Sequence, residues 1–408
     1  MPDIDRITAI LGFQRYQVVR FKRFNKQWIE LRLELRDRNL RCPGCGQRFV
    51  FSYDRRYAAI RDLDLSTHRT VLSVPKYRVR CPRCGVRQVH LEIARPHARC
   101  TKRFEKWLFV LTRTMPITEA ADLMAVHWAT VRDAEIRYIR GFLRKRNLDG
   151  IRDLGVDEVS EKKGHRYLTL VTDLALRRVI WVGRGNDGAV LRRFFRWFGP
   201  KRTRRIRRVV MDMHLPYEYE VRRQCPRARI VYDRFHLMKL LHRALDDLRR
   251  RLQRELPPEG RRYLKDKRYL LLRAKENLTT KQQVRLDELL AVNQPLNAAY
   301  ILKEDFRALF DEENPKRARQ DIKDWKVRAR ESELPELLEF VKMLNRRRYG
   351  ILNFFRHRIT NGLAEGLNNV VKTIKKVACG FHDWEYFALK ILRRCGRIER
   401  GVSDADLL

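Results

Sequence analysis

Two short knuckles constrain this chain more than any other feature: Cys42-Pro43-Gly44-Cys45 and Cys81-Pro82-Arg83-Cys84, each followed by a glycine. Proline and glycine between and after the cysteines let a tight turn aim two sulfurs, and backbone N–H groups, at one point. Four thiolates satisfy a closed tetrahedral zinc site with no position left for a substrate. Thirty-five residues, 46 to 80, separate the pairs. That interval suits a zinc-ribbon-like module with strands between the knuckles, so Cys42, Cys45, Cys81 and Cys84 are the expected ligands of a structural Zn²⁺. Cys100, His90 and His97 follow closely and could replace one of them, and two unrelated reduced pairs are the plainer alternative.

Thiolate knuckles imply a reducing compartment. The N-terminus has no basic region leading into an apolar one, and no run of about 18 apolar residues occurs. A cytoplasmic protein without a membrane span is expected. Charge points to its partner. The chain carries 91 Lys and Arg against 50 Asp and Glu, a net charge of +41 over 408 residues. A fold does not need that excess, which adds self-repulsion to the compact state. Membrane surfaces and acidic proteins could offset it. The basic residues run from end to end, with arginine-rich stretches at 201–208, 249–254 and 346–348. A long polyanion, nucleic acid, fits that spread best, and double-stranded DNA is the partner expected of the chain as a whole.

Along the chain, residues 1–100 read as a β-rich zinc-binding module. Ile29 to Leu35 alternates apolar and polar residues, as a half-buried strand does. Residues 101–148 read as helices with a short turn at Ala125-Val126-His127, the pattern of a helix-turn-helix. Its second helix would begin near Trp128 and offer Thr130 and Arg132 to DNA. Many helical hairpins share that pattern. From 149 to 239 apolar strand-like runs at 154–157, 166–172, 178–182, 206–212 and 228–233 alternate with helical patterns at 189–198 and 215–224. Three strands, a helix, a strand, a helix and a strand predict a mixed α/β sheet. Residues 240–350 turn helical and highly charged, with Pro257-Pro258 as a break and helices around 262–276, 280–293, 295–310 and 334–348. Residues 351–408 end the chain.

Two strands end in a carboxylate after an apolar run, at Asp157 and at Asp212. Buried strands rarely tolerate charge, so an Asp there marks a site at the sheet edge, where two on adjacent strands can share a divalent cation. Each could equally cap a loop or pair with one of the many arginines. A third carboxylate, Glu365, lies in a helical pattern from 361 to 378. Leu363, Leu367, Val370, Val371 and Ile374 form its apolar stripe, and Glu365, Asn368, Asn369 and Lys372 lie on another face. Such a face suits contact with a metal and a phosphate, or with solvent alone.

The ordered set GVDE at 155–158, VVMDM at 209–213, VYDRFHLMKLL at 231–241, TNGLAEGLNNVVKTIKK at 360–376 and CGFHDWEYFALKIL at 379–392 resembles the DDE-type insertion-sequence transposases of the ISL3 family. The knuckles and the helix-turn-helix ahead of it match that family too, so the resemblance spans about residue 40 to about residue 396. It implies a ribonuclease-H-like catalytic core, its first part at 149–239 and its second at 351–408. A helical insertion at 240–350 would account for the 153 positions between Asp212 and Glu365. It implies Asp157, Asp212 and Glu365 as a triad holding Mg²⁺ or Mn²⁺, and cut-and-paste cleavage and strand transfer at terminal inverted repeats. Lys372, Asn368 and Asn369 would touch DNA, and a homodimer or higher oligomer would assemble on the transposon ends and target. Asp233 and His236 belong to the same motifs, either as accessory site residues or as a pair that fixes a strand-to-helix junction. A catalytically inactive, domesticated DNA-binding protein or regulator is the rival reading, with a related nuclease or junction resolvase behind it.

Overall fold

The computed structural model describes residues 3–162, 166–362, 364–378 and 380–399, without the side chains of 161, 162, 166, 364 and 365. It divides into two compact units, Met1–Arg146 with Ile398–Leu408, and Asn147–Arg397.

The first unit opens with α1 (Ile4–Leu11) and continues through β1 (Tyr16–Arg23), β2 (Trp28–Leu35), β3 (Leu40–Arg41), β4 (Arg48–Phe49), β5 (Asp54–Arg61), β6 (Arg69–Cys81) and β7 (Gly85–Gln88). The main sheet runs β1-β2-β6-β5, with β7 folded back on β6 and β3–β4 a separate hairpin. The alternation in β2 does what period-2 patterning dictates: Ile29, Leu31 and Leu33 face a core shared with Leu72, Val74 and α1. Each knuckle sits at a hairpin turn, the first between β3 and β4, the second between β6 and β7.

Three helices follow, α2 (Lys102–Leu111), α3 (Ile117–Met124) and α4 (Trp128–Lys145). Thr101 caps α2 by accepting the Phe104 N–H at 3.2 Å. Ala125 closes α3 in the left-handed region (φ 50°), and His127 Nδ1 accepts the Ala129 N–H at 3.3 Å to start α4. Ala120, Ala121 and Ala134 let these helices close on Phe104, Leu108 and Val131. A buried polar knot ties them to the sheet. Asp62, fully buried, accepts the Thr101 hydroxyl at 2.6 Å and Arg103 Nε at 2.9 Å.

The second unit holds β8 (Asp153–Lys162), β9 (Arg166–Asp173), β10 (Arg178–Arg184), α5 (Gly188–Phe198), α6 (Pro200–Thr203), β11 (Arg208–Met211), α7 (Leu215–Gln224) and β12 (Arg229–Tyr232). Their sheet runs β10-β9-β8-β11-β12. The first three strands pair antiparallel, and β8, β11 and β12 pair parallel. Helices α8 (Arg234–Glu255), α9 (Pro258–Lys265), α10 (Arg268–Leu272), α11 (Thr280–Ala291), α12 (Gln294–Ala308), α13 (Pro315–Glu331), α14 (Pro335–Arg346) and α15 (Arg348–His357) follow, then α16 (Ala364–Val377) and α17 (Trp384–Cys395).

Sheet pleating decides which side chains meet what. Leu154 and Val156 of β8 face the core that contains Phe194, Phe195 and Phe198 of α5, each ring worth roughly 2–3 kcal/mol of burial. Val159, with Leu168 and Leu170 of β9, faces the other side, covered by Val371 of α16 and Phe387 and Ile391 of α17. Asp157 shares the parity of Val159, so it sits on the α16 side of the sheet.

Two expectations need correction. The span 262–276, expected as one helix, is broken. The ammonium of Lys303, 1% exposed, donates to the carbonyls of Leu271 and Arg273 at 3.0 Å each and ends α10. Helix α13 lies at 315–331, where the sequence offered no pattern strong enough to assign.

Candidate active site

The site is built where three chain segments converge. Asp157 leaves the middle of β8, Asp212 follows the last residue of β11, and His236 stands in the first turn of α8. One ligand atom from each lies within 4.8 Å of the others. Parallel pairing of β8 with β11 brings the two carboxylates together. The chain then returns through β12, whose end carries Asp233 directly into α8. Asp233 caps that helix by accepting the Phe235 N–H at 3.1 Å. This fixes the first turn, and His236 Nε2 meets Asp212 Oδ1 at 2.5 Å.

Asp157 is only 9% exposed. Burial, reinforced by the charge of Asp212, pushes its carboxyl up to about 6 against the N–H of Glu158 and the Asn368 amide. Burial likewise raises Asp233. For His236 burial works the other way, but contact with Asp212 and the charges of Asp157 and Asp233 outweigh it and raise the imidazole. His236 is thus drawn toward its protonated form beside these acids.

Helix α16 closes the site from its own face. Asn368 Nδ2 donates to Asp157 Oδ2 at 3.0 Å. The Asn368 Oδ1 is buried without a partner, and so is Oδ1 of Asn361 just ahead of the helix. Gly155 permits that approach, since a Cβ there would lie 2.6 Å from Asn361 Oδ1 and 2.3 Å from Thr172 Oγ1. Carboxylates crowded together and orphaned amide oxygens beside them form the hard-oxygen donor set that a divalent cation such as Mg²⁺ takes. The residues present fit such an ion.

Of the expected site residues, Asp157, Asp212 and His236 come together. Asp233 has one carboxylate oxygen engaged as a helix cap. Glu365 belongs to α16 by its backbone, and its side chain lies outside the described residues, as does Leu363. Asn368, expected at DNA, instead binds Asp157. Asn369 and Lys372 are exposed on α16. Thr130 and Arg132 lie in the first turns of α4, with Arg132 Nη2 3.0 Å from its neighbour Asp133 and its guanidinium 5.1 Å from the Trp128 ring. Sequence reasoning missed Asn361 and the Asn368–Asp157 bond. The one signal for them was two asparagines on a helical pattern beside an acidic residue.

In the first unit Cys42, Cys45, Cys81 and Cys84 bring their sulfurs within 4.8 Å of one another. Cys45 and Cys81 sulfurs are 3.4 Å apart. Backbone N–H groups of Cys45 and Gly44 hold the Cys42 thiol down at about 7, while the neighbouring sulfurs of Cys45 and Cys42, with desolvation, push Cys84 up to about 12. Four sulfurs that cannot all ionise without a cation fit zinc. Gly44 is required, since a Cβ there would lie 2.9 Å from Cys84 Sγ. Cys100 is buried in the helical core instead, and neither His90 nor His97 joins the cluster.

A carboxylate–histidine cluster on the inner strands β8 and β11, a four-sulfur module and a helix-turn-helix in one basic chain define a DNA-binding enzyme. Family models agree in chain order: a zinc finger of the transposases IS204/IS1001/IS1096/IS1165 matches residues 38–84, a helix-turn-helix domain of transposase family ISL3 matches 89–139, and a transposase domain matches 154–391. The chain belongs to transposase family ISL3. It is 35% identical to the transposase for insertion sequence element IS1001 of Bordetella parapertussis over 356 residues, 86% of this chain and 87% of that one. It is 30% identical to the transposase for insertion sequence element IS1557 of Mycobacterium tuberculosis over 370 residues, 84% and 83% of the two chains. No helix among the described residues is long and apolar enough to cross a membrane.

Proposed function

We propose that this transposase binds the terminal inverted repeats of its element and cleaves and rejoins DNA with Asp157, Asp212 and Glu365 as the metal-binding triad. The observation that carries this is the meeting of Asp157 and Asp212 under α16, the helix that contains Glu365. Asn368 of that helix bonds Asp157 at 3.0 Å, and Glu365 stands three positions earlier, a spacing that shares a helix face. The strand order β10-β9-β8-β11-β12 supports a ribonuclease-H-like core, with residues 240–350 as a helical insertion between Asp212 and the Glu365 helix.

Mg²⁺ or Mn²⁺ held there would activate the attacking hydroxyl and offset charge on the phosphate and the leaving oxygen. The chain's own residues orient that chemistry. Asn368 and the Glu158 N–H fix the rotamer of Asp157, and His236 fixes Asp212. Lys372, exposed on α16, would hold a phosphate, with Asn369 also exposed on that helix. Zn²⁺ on the four cysteines shapes the amino-terminal module, and Thr130 and Arg132 on α4 face the DNA grooves. Two copies acting on paired ends make a homodimer or higher oligomer the expected assembly.

The test is strand cleavage on the element's own ends. Asp157→Asn, Asp212→Asn and Glu365→Gln should each abolish nicking while DNA binding survives, and any one of them nicking at the wild-type rate would overturn the triad. A plasmid excision assay separates an active transposase from an inactive DNA-binding descendant.

A further inference from the structure

A cleft of about 810 Å³ opens directly beside the acid cluster and runs along α8. Asp212 and His236 form one end of it. Its floor is apolar, from Met213, Met238, Leu240 and Leu272. Phe235 stands at the catalytic end with 54% of its surface exposed, its ring 5.5 Å from and perpendicular to that of His236. An aromatic side chain left in water at the rim of a catalytic site needs an occupant more than most exposed residues do.

Lys239 and Arg243 follow on the same wall, at positions three and seven after His236, a spacing that keeps all three on one helix face. Both are exposed, and neither makes an ion pair among the described residues. At roughly 1.5 Å of rise per residue they lie about 4.5 and 10 Å along the helix from His236. Successive phosphates of an unpaired strand can meet the acid cluster, Lys239 and Arg243 in turn over that distance. The acids come next and end the track. Asp246 is shared among Arg249, Arg250 and Arg268. Asp247 is exposed and would repel a further phosphate.

We propose that this cleft holds a short stretch of unpaired DNA, about three nucleotides, adjoining the phosphate at the acid cluster. Phe235 stacks on a base, and Lys239 and Arg243 hold the phosphates. The volume falls in the range of small-ligand pockets and suits a few nucleotides rather than a duplex. Stacking on an aromatic ring is indifferent to base identity.

The inference rests on the catalytic reading above, so its test has an arm that needs no catalysis. Two duplex probes of the same arbitrary sequence, one blunt and one ending in a three-nucleotide fork, are titrated by fluorescence anisotropy with the zinc-loaded protein in buffer without Mg²⁺ or Mn²⁺. Wild type should prefer the fork by about tenfold, the lower part of what one stacked base contributes. Phe235→Ala should lose that preference and Phe235→Trp should keep it. Lys239→Ala with Arg243→Ala should flatten the salt dependence of fork binding by about 1.4 in log–log slope, 0.7 for each single-strand phosphate. Unchanged melting temperatures show that the variants are folded. Absence of a fork preference in wild type, its survival in Phe235→Ala, or its loss in Phe235→Trp would overturn the proposal. The nicking assay is read separately. Fork preference alongside normal nicking by the triad variants condemns the triad and leaves the cleft, and the reverse result condemns the cleft alone.

Discussion

Replacing Asp157 with asparagine should make the metal-free protein more stable at neutral pH, the opposite of what removing a buried polar partner usually does. The carboxyl is raised from 3.8 to about 6, first by burial and then by the charge of Asp212. A shift of that size is about 3 kcal/mol of penalty on the ionised form. The folded state binds this proton more tightly than the unfolded chain does. The penalty is therefore absent below the unfolded value near 4, grows between pH 4 and 6, and is complete above about 6. An asparagine can still accept from the Glu158 N–H or from Asn368, and it carries no charge. For a unit of this size 1 kcal/mol is worth about 2–4 °C, so the variant should melt about 6 °C higher in EDTA at pH 8. The gain should fade as pH drops from 6 to 4. Mg²⁺ at about 1,000 times its Kd should reverse the order, since it gives the wild type about 4.1 kcal/mol that the variant largely lacks. Differential scanning fluorimetry across pH, with and without Mg²⁺, reads all of this. A variant that melts at or below wild type in EDTA at pH 8, or that gains as much from Mg²⁺, would refute the account of Asp157 as an acid awaiting a cation.

Two further outcomes follow from the same geometry. Asn368→Ala removes the 3.0 Å bond to Asp157, so the Mg²⁺ concentration for half-maximal stabilisation should rise about tenfold or more, with little change in the metal-free melting temperature; an unchanged Mg²⁺ dependence means that Asn368 does not position Asp157. Zinc chelation, or Cys45→Ala, should collapse the hairpins at both knuckles and cost DNA affinity, while the α2–α4 core around Phe104 and Leu108 persists; a circular dichroism spectrum unaltered by chelation rules out a structural role for the ion.

What the sequence disclosed, and what it hid, divides by range. Asp157 and Asp212 were legible because charge at the end of an apolar strand run is expensive, and the knuckles because spacing alone fixes their chemistry. Four of the five strands of the catalytic unit and helices α5 and α7 fell where their periodicity put them, while β8 runs on past Asp157 to Lys162. Helix α13 did not, because two of its four buried positions are Ala318 and Ala329, which leave a thin stripe under many charges. The end of α10 within 262–276 meets Lys303 arriving from α12, a contact 30 or more residues away that no local pattern encodes. Asn368 was read as a DNA contact because its helix face is polar, and only the docking of α16 on β8 shows that this face meets an acid.

The placement of His236 ties these threads together. The parallel strands β8, β11 and β12 each deliver an acid, Asp157, Asp212 and Asp233, to neighbouring positions of the sheet. Three carboxylates so arranged repel one another. The third is disarmed by capping α8, and the cap sets the helix turn that presents His236 to Asp212. Without a metal, His236 is drawn toward its protonated form and so relieves part of the repulsion. A divalent ion between Asp157 and Asp212 would compete with that role. Capping and charge balance are therefore coupled: removing the Asp233 carboxylate loosens His236 and leaves Asp212 with less to offset its charge. A strand-end acid outside the metal cluster can on these grounds matter to it as much as a ligand does, through the helix it starts.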